Sequence, residues 1–338
     1  MRNFDASKTE FCLPETPTIR PPGEPASLDE FAADVRSGLS KSGQKELYSK
    51  YLYDDLGSAL FEAITLLPEY GLTRADERLL EKHAADLAPM LERPCVVVEL
   101  GSGSSAKARW ILALLAASGG VTYCPIDISE SALRRCEREL SVIPSLRIAP
   151  FQRSYIDGLR EASRQRKPGD SLLVLFLGST IGNFEPTAAE EFLKRVRRAL
   201  APGDVLYLST DLEKSVDRMI AAYDDAIGVT AAFNLNLLLR INRELGGNFV
   251  LSRFRHEARY ERDERRIEMH LRSLTSQRVK IGEDLLVDFH RGETIWTESS
   301  YKFRIEDVLA LARRTGFRCE RQWVDEEWPF AQSVLRAA

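Results

Sequence analysis

The run Cys95-Val-Val-Val-Glu-Leu100, followed at once by Gly101-Ser-Gly-Ser-Ser105, constrains the fold more than any other stretch of the chain. A strand that is apolar without alternation is covered on both faces, as in parallel sheets. Glycines directly after it let the backbone turn tightly and approach a ligand that a Cβ would exclude. The rhythm then repeats. A helix is expected over Ala106 to Ala117, a strand over Val121 to Ile126 ending at Asp127, and a helix capped by Ser129 that buries Leu133, Cys136 and Leu140. Strands Leu146 to Phe151 and Ser171 to Leu177, helix Thr187 to Leu200 and strand Asp204 to Thr210 continue the alternation. Buried strands alternating with helices specify a parallel, doubly wound sheet of the Rossmann-like α/β class.

Outside this run the pattern changes. Residues 1 to about 25 are Pro-rich and read as an irregular arm. Helices are expected from Ser27 to Leu39 and from Ser58 to Leu66, the second ending before Pro68. After Asp211 the spacing suits a helix over Lys214 to Arg243, then antiparallel strands from Phe249 to Val287. Helix Ile305 to Thr315 and strands Arg318 to Val324 and Phe330 to Leu335 resume the first style. The simplest account is a sheet core over 75–212, completed by 303–338 and interrupted by an inserted α+β lobe over 213–302. Residues 1–74 form the N-terminal part of that lobe, which covers the carboxyl edge of the sheet, where α/β folds place ligands.

Several function classes are excluded early. A formal net charge of −4 over 338 residues, with a pI near 5.8, gives no footprint for nucleic acid. Five cysteines without C-x-x-C spacing, and four histidines (His83, His256, His270, His290) without ligand spacing, suggest neither a disulfide framework nor a metal site. Cys95 and Cys124 read as small buried residues. With no apolar leader and no transmembrane run, the expectation is a cytoplasmic monomer that acts on a small molecule without metal, membrane or nucleic acid.

The glycine loop is placed to hold a nucleoside. Asp127, at the end of the second strand, can accept hydrogen bonds from a ribose diol. Ala106 occupies the third position of a G-x-G-x-x-G pattern, so the glycines alone leave a nicotinamide dinucleotide and a methyl donor both open. Glu99, two residues before the first glycine, and the helix–strand–strand order at the C-terminus favour the methyl donor, because class I methyltransferases share both.

Longer segments carry a specific resemblance. Tyr51-Leu-Tyr-Asp-Asp-Leu-Gly-Ser-Ala-Leu-Phe61, Leu67-Pro-Glu-Tyr70 with Thr73-Arg74, Glu99-Leu-Gly-Ser-Gly103 and Phe176-Leu-Gly-Ser-Thr-Ile-Gly-Asn-Phe184 occur in order. Ala222-Tyr-Asp-Asp225, Gly228-Val-Thr-Ala-Ala-Phe-Asn-Leu-Asn236, Ile267-Glu-Met-His-Leu271 and Thr297-Glu-Ser-Ser300 with Lys302-Phe303 follow. Together they closely resemble the histidine Nα-methyltransferase family of ergothioneine biosynthesis, from about residue 45 onward. The resemblance implies trimethylation of free L-histidine to hercynine with S-adenosylmethionine as methyl donor. It implies that Gly101, Lys107 and Asp127 contact the donor, with Tyr53 near its amino-acid end. Tyr70, Asn183 and Tyr223 would hold the substrate amine and carboxylate, Glu298 and Ser300 the imidazole, and Met269 the pocket wall. Two departures stand out: Gly71 replaces a second aromatic after Pro-Glu-Tyr, and Ser154-Tyr155 stands where many members have an acid and an aromatic near adenine.

The residue types suit the chemistry. Methyl transfer to an amine is an in-line displacement that needs a neutral, aimed lone pair, so positioning is the main device. Tyr53 and Tyr70 are assigned orientation first and proton relay second, because a phenol with a pKa of about 10 is a poor base. Asn183, in the loop after the fourth strand, offers an acceptor and donors on one side chain. Glu298, if it faces the pocket, selects an imidazole N–H, since an unpaired buried carboxylate is costly. Gly71 and Gly178 are small enough to give a growing amine room. The rival readings are methylation of another amine, such as a tryptophan derivative, a nicotinamide-dependent oxidoreductase, and a binding protein without activity.

Overall fold

A computed structural model of the chain describes residues 27–91, 95–103 and 107–338. The expected Pro-rich arm, Cys12 and the end of the glycine loop (Ser104, Ser105 and Ala106) lie outside the described residues. The N-terminal part comprises α1 (Leu28–Leu39), the two-residue strand β1 (Lys45–Glu46), α2 (Asp55–Thr65) and α3 (Gly71–Leu87). Ser27 caps α1 as expected, accepting from the Glu30 N–H at 3.1 Å.

The core runs β2 (Cys95–Leu100), α4 (Arg109–Ala117), β3 (Val121–Asp127), α5 (Glu130–Leu140), β4 (Leu146–Ile148), β5 (Phe151–Gln152), α6 (Tyr155–Ser163), β6 (Ser171–Phe176), α7 (Pro186–Arg198) and β7 (Val205–Asp211). The lobe follows as α8 (Val216–Ala221), α9 (Val229–Leu245), β8 (Phe254–Glu261), β9 (Arg266–Ser273), β10 (Gln277–Ile281), β11 (Leu285–Phe289) and β12 (Thr294–Tyr301). Then α10 (Ile305–Arg314), β13 (Phe317–Asp325) and β14 (Phe330–Ala337) return to the core.

The core sheet has the order β13-β14-β7-β6-β2-β3-β4, with β5 also pairing β3. Strands β2 to β7 run parallel, and β14 is antiparallel to both β7 and β13. This is a Rossmann-like, doubly wound sheet closed by an antiparallel C-terminal hairpin, as expected. Alternate residues of β2 enter opposite cores, Val96, Val98 and Leu100 on one face and Cys95 and Val97 on the other. That two-sided burial is why the sequence shows no alternation there.

The lobe is a second sheet of order β1-β12-β9-β8, beside the β10–β11 hairpin. Its hydrophobic core includes Phe31, Tyr51, Ile64, Tyr70, Phe233, Leu237 and Met269, so α1, α2 and α9 are packed into one body with these strands.

Four expectations need correction. The strand expected over Leu146 to Phe151 is two short pieces, β4 and β5. Helix α3 has no counterpart in the sequence reading, and the boundary drawn at residue 74 falls inside it. Its buried Leu72, Ala75, Leu79, Leu80, Ala84 and Leu87 keep helical spacing but are diluted by charged neighbours. The single helix expected over Lys214 to Arg243 is broken between α8 and α9. There Gly228 takes φ +83°, and the Asp225 carboxylate accepts from the N–H groups of Val229 at 2.9 Å and Thr230 at 2.7 Å, starting a new helix. Finally, Gly71 opens α3 against the indole of Trp328, where a Cβ would overlap the ring. Its small size serves close packing and gives no room to a substrate amine.

Candidate active site

The carboxyl ends of β6 and β7 meet the lobe sheet, through Asn183 on Glu298 and Asp211 on Lys302, and those of β2 and β3 form the glycine corner. At the end of β2, Gly101 and Gly103 take φ +72° and +52°, a left-handed backbone that favours glycine. A Cβ on Gly101 would lie 2.9 Å from the Tyr155 hydroxyl, whereas the Cβ direction of Gly103 is open. At the end of β3, Asp127 accepts from the Gly103 N–H at 3.0 Å and the Ser129 N–H at 2.9 Å. Burial pushes its carboxyl above the usual range despite these bonds. The Ser154 hydroxyl caps α6 and bonds to Asp157 at 2.9 Å, which leaves Tyr155 as the member of that pair facing the glycine loop. Glu99 takes the Tyr123 hydroxyl and braces the two strands.

The loop after β6 is pinned to this corner through Asp76 of α3, a completely buried carboxylate. It accepts from Gly178 N–H at 2.9 Å, Lys107 Nζ at 3.1 Å, Ser209 Oγ at 2.7 Å and Gln332 Nε2 at 2.6 Å. Gly178 has φ +70°, and a Cβ there would sit 3.0 Å from the Lys107 ammonium. Ser179 adopts φ +58°, a strained state for a residue with a side chain, and its hydroxyl accepts from the Asp211 N–H at 2.8 Å. The loop therefore has a fixed shape before any ligand arrives, and it ends at Asn183.

Across from it stands β12, buried along its whole length. Pairing with β9 shifts register between Trp296 and Glu298, a bulge that re-aims the strand. Beyond the bulge Glu298, Ser300 and Lys302 follow the two-residue period of one face, and Met269 lies directly opposite Glu298. Asn183 Nδ2 donates to Glu298 Oε1 at 3.2 Å, and the Tyr53 hydroxyl lies near enough to the same carboxylate to help hold it ionised. Burial pushes the Glu298 carboxyl up to about 7, with Lys302 and Tyr53 pulling it back. Tyr223 and Ser300 hydroxyls are 2.7 Å apart, and the Tyr70 and Tyr223 rings meet edge-on with centroids at 6.1 Å. Tyr53 packs edge-on against Phe61 and Phe233, both at 5.5 Å. Burial raises the hydroxyl pKa of Tyr53, Tyr70 and Tyr223 well above that of a free phenol. Besides burial, the nearby Glu298, Tyr70, Tyr155 and Tyr223 raise the Tyr53 hydroxyl further.

Of the candidate residues named from sequence, Gly101, Asp127 and Tyr155 meet at the glycine corner, and Lys107 and Gly178 meet at Asp76. Asn183, Met269 and Glu298 meet at β12, where Ser300 bonds to Tyr223 and Tyr223 packs on Tyr70. Tyr53 packs on Phe61 and Phe233, and Ser154 faces Asp157 instead of the corner. Sequence reasoning assigns no role to Asp76, Asp211 or Lys302. Asp211 holds Lys302 at 2.9 Å, Lys214 at 2.6 Å and the Trp328 indole N–H at 3.0 Å. Burial raises the Asp211 carboxyl, but the two ammonium groups outweigh it and hold it below the usual range. Two-residue parity along β12 was the one available signal, since it puts Lys302 with Glu298 and Ser300. Among the described residues no group of three or more His, Cys, Asp or Glu side chains is placed to hold a metal. No helix among them is long and apolar enough to cross a membrane.

Comparison with known proteins identifies the family. Residues 31–337 match the family described as histidine-specific, SAM-dependent methyltransferases. A histidine N-alpha-methyltransferase of Mycolicibacterium smegmatis is 41% identical over 91% of this chain and 95% of its own length. Ergothioneine biosynthesis protein 1 of Neurospora crassa is 30% identical over 76% of this chain, which spans 31% of that longer protein. More distantly, an L-tryptophan methyltransferase of Psilocybe serbica is 26% identical over 92% of this chain and 94% of its own length.

Proposed function

The chain belongs to the family of histidine-specific, S-adenosylmethionine-dependent methyltransferases, and on that footing we propose that it methylates the α-amino nitrogen of free L-histidine three times, giving hercynine for ergothioneine biosynthesis. The observation that carries the reading is the buried β12 face, where Glu298 accepts from the uncharged Asn183 amide, with the Tyr53 phenol nearby, and has no salt-bridge partner among the described residues. An N–H from an imidazole completes its environment, whereas an indole or phenyl ring serves it less well or not at all.

The glycine corner fits a nucleoside methyl donor. Gly103 leaves an opening that a side chain would fill, and Asp127 presents a half-buried carboxylate beside it. Gly101, Lys107, Asp127 and Tyr155 would hold S-adenosylmethionine, which supplies an electrophilic methyl group when bound. Ser154 contributes by capping the helix that carries Tyr155.

The chain's own residues do the positioning. Asn183 ends a loop whose shape is set by Asp76 and Asp211, so its amide is preorganised to orient the substrate amine and carboxylate. Tyr70 and Tyr223 wall the same space, and their raised pKa values make them hydrogen-bond donors and not bases at neutral pH. Each transfer replaces one N–H by one N–CH3, so a cycle of three releases three protons to solvent.

Steady-state rates with histidine, tryptophan and phenylalanine test the substrate reading in wild type and Glu298→Ala. Wild type is expected to turn over histidine alone. The variant is expected to lose about 1.5–3 kcal/mol of transition-state binding, roughly tenfold to a hundredfold in kcat/KM for histidine. Preference for tryptophan in the wild type would overturn the substrate, and an unaffected variant would overturn the imidazole assignment.

A further inference from the structure

The Lys302 side chain is completely shielded from solvent, and its ammonium has three acceptors. They are Asp211 Oδ2 at 2.9 Å, Ser300 Oγ at 2.8 Å and the Tyr223 hydroxyl oxygen at 2.9 Å. An ammonium only donates, so both hydroxyl oxygens act as acceptors toward it. Those two oxygens are also 2.7 Å from each other, a separation that takes up one of the two hydroxyl hydrogens. One hydroxyl hydrogen remains. It cannot point back at the ammonium, so it is left for whatever occupies the site. On the same strand face stands Glu298, an acceptor when ionised.

This face therefore offers one acceptor and one donor. A neutral imidazole carries one N–H and one bare nitrogen and matches the pair. An imidazolium carries two N–H groups and a positive charge. It would bring a donor against a donor and a cation toward Lys302. The other ionisable groups packed here do not reverse this. Asp211 from β7 is shared between Lys302 and Lys214, so that trio is net positive. Tyr53, Tyr70 and Tyr223 are neutral phenols.

We propose that Lys302 is a positioning residue that sets the hydrogen-bond direction of the Ser300–Tyr223 pair, so that the site takes histidine as the neutral imidazole, its N–H on Glu298 and its bare nitrogen on the hydroxyl pair. The inference rests on histidine being the substrate and on its ring occupying this face of β12.

The test is nitrogen NMR of ring-15N-labelled L-histidine bound to the full chain with S-adenosylhomocysteine, at about pH 6, where the free ring (pKa about 6.5) is mostly protonated. The expected spectrum shows one protonated and one bare ring nitrogen. Two protonated nitrogens would overturn the inference while leaving histidine as the substrate. No histidine binding at all would overturn the functional reading and this inference with it. Lys302→Met, which keeps length and removes charge, provides a kinetic readout. The KM for histidine is expected to rise roughly tenfold or more, with the KM for S-adenosylmethionine unchanged. The acid limb of kcat/KM is expected to move to higher pH, because Glu298 loses the cation that holds its carboxyl down. An unchanged histidine KM and an unmoved acid limb would contradict a positioning role for Lys302.

Discussion

At Glu298 burial and neighbouring groups pull in opposite directions, and the balance leaves its carboxyl near 7. If the carboxylate must be ionised to accept the imidazole N–H, kcat/KM for histidine should fall as pH drops below about 7. Glu298→Gln, which cannot titrate, should lose the carboxyl's share of that limb and keep only the part that belongs to protonation of free histidine. Stability should respond in the opposite sense. A carboxyl whose folded pKa is raised contributes stability that is fully present below its unfolded value of about 4.3. That contribution is lost as pH rises through the folded value. Glu298→Gln should therefore melt higher than wild type at about pH 8 without ligand, with the gap closing near about pH 4. Equal melting temperatures at the higher pH would mean that the carboxylate is not desolvated. Asp76 is the other residue with such a concentrated role. In Asp76→Asn one acceptor becomes a donor facing donors, at a cost of about 1–3 kcal/mol. A weaker affinity for S-adenosylhomocysteine, measured by calorimetry, should accompany it, because Lys107 and Gly178 lose their anchor.

At the scale of elements, the start of α3 and the hairpin of β13 and β14 meet at Gly71 and Trp328. Alanine is the better helix former by about 1 kcal/mol, but the added Cβ would overlap the indole. Overpacking of this kind costs about 1–3 kcal/mol, so Gly71→Ala should lower the urea midpoint. It should not alter the ratio of mono-, di- and trimethylated products, because the glycine faces Trp328. The same elements show what the sequence can tell and where it stops. The parallel strands were legible because burial on both faces removes polar residues from β2 and β6. The break between α8 and α9 was not, since it depends on the Asp225 side chain turning onto backbone N–H groups. Helix α3 was hidden by charged residues within its turns. The individual site residues came through family segments more than through spacing. Asp76 could not be found this way, because its partners lie 31, 102, 133 and 256 residues away. Lys302 was within reach, two residues beyond Ser300 on a strand of known parity.

For the whole molecule, the core sheet supplies the glycine corner and the Asn183 loop, while the lobe supplies β12 and the aromatic wall. Asp211, at the end of core strand β7, ties the two together through Lys302 next to β12. Ligands that bridge both parts should stabilise the folded chain by mass action, by about 2.7 kcal/mol at a hundredfold excess over Kd. Histidine added to the protein saturated with S-adenosylhomocysteine should raise Tm further, and Glu298→Ala should show most of that second increment lost. A second increment of wild-type size in the variant would place histidine elsewhere. The central claim concerns chemistry on one nitrogen, and it is tested most directly by mass spectrometry of the product formed from L-histidine and S-adenosylmethionine with a deuterated methyl group. The account predicts hercynine, with three labelled methyl groups on the α-nitrogen and none on the ring. Label on an imidazole nitrogen, or no labelled histidine while another amino acid is methylated, would contradict it.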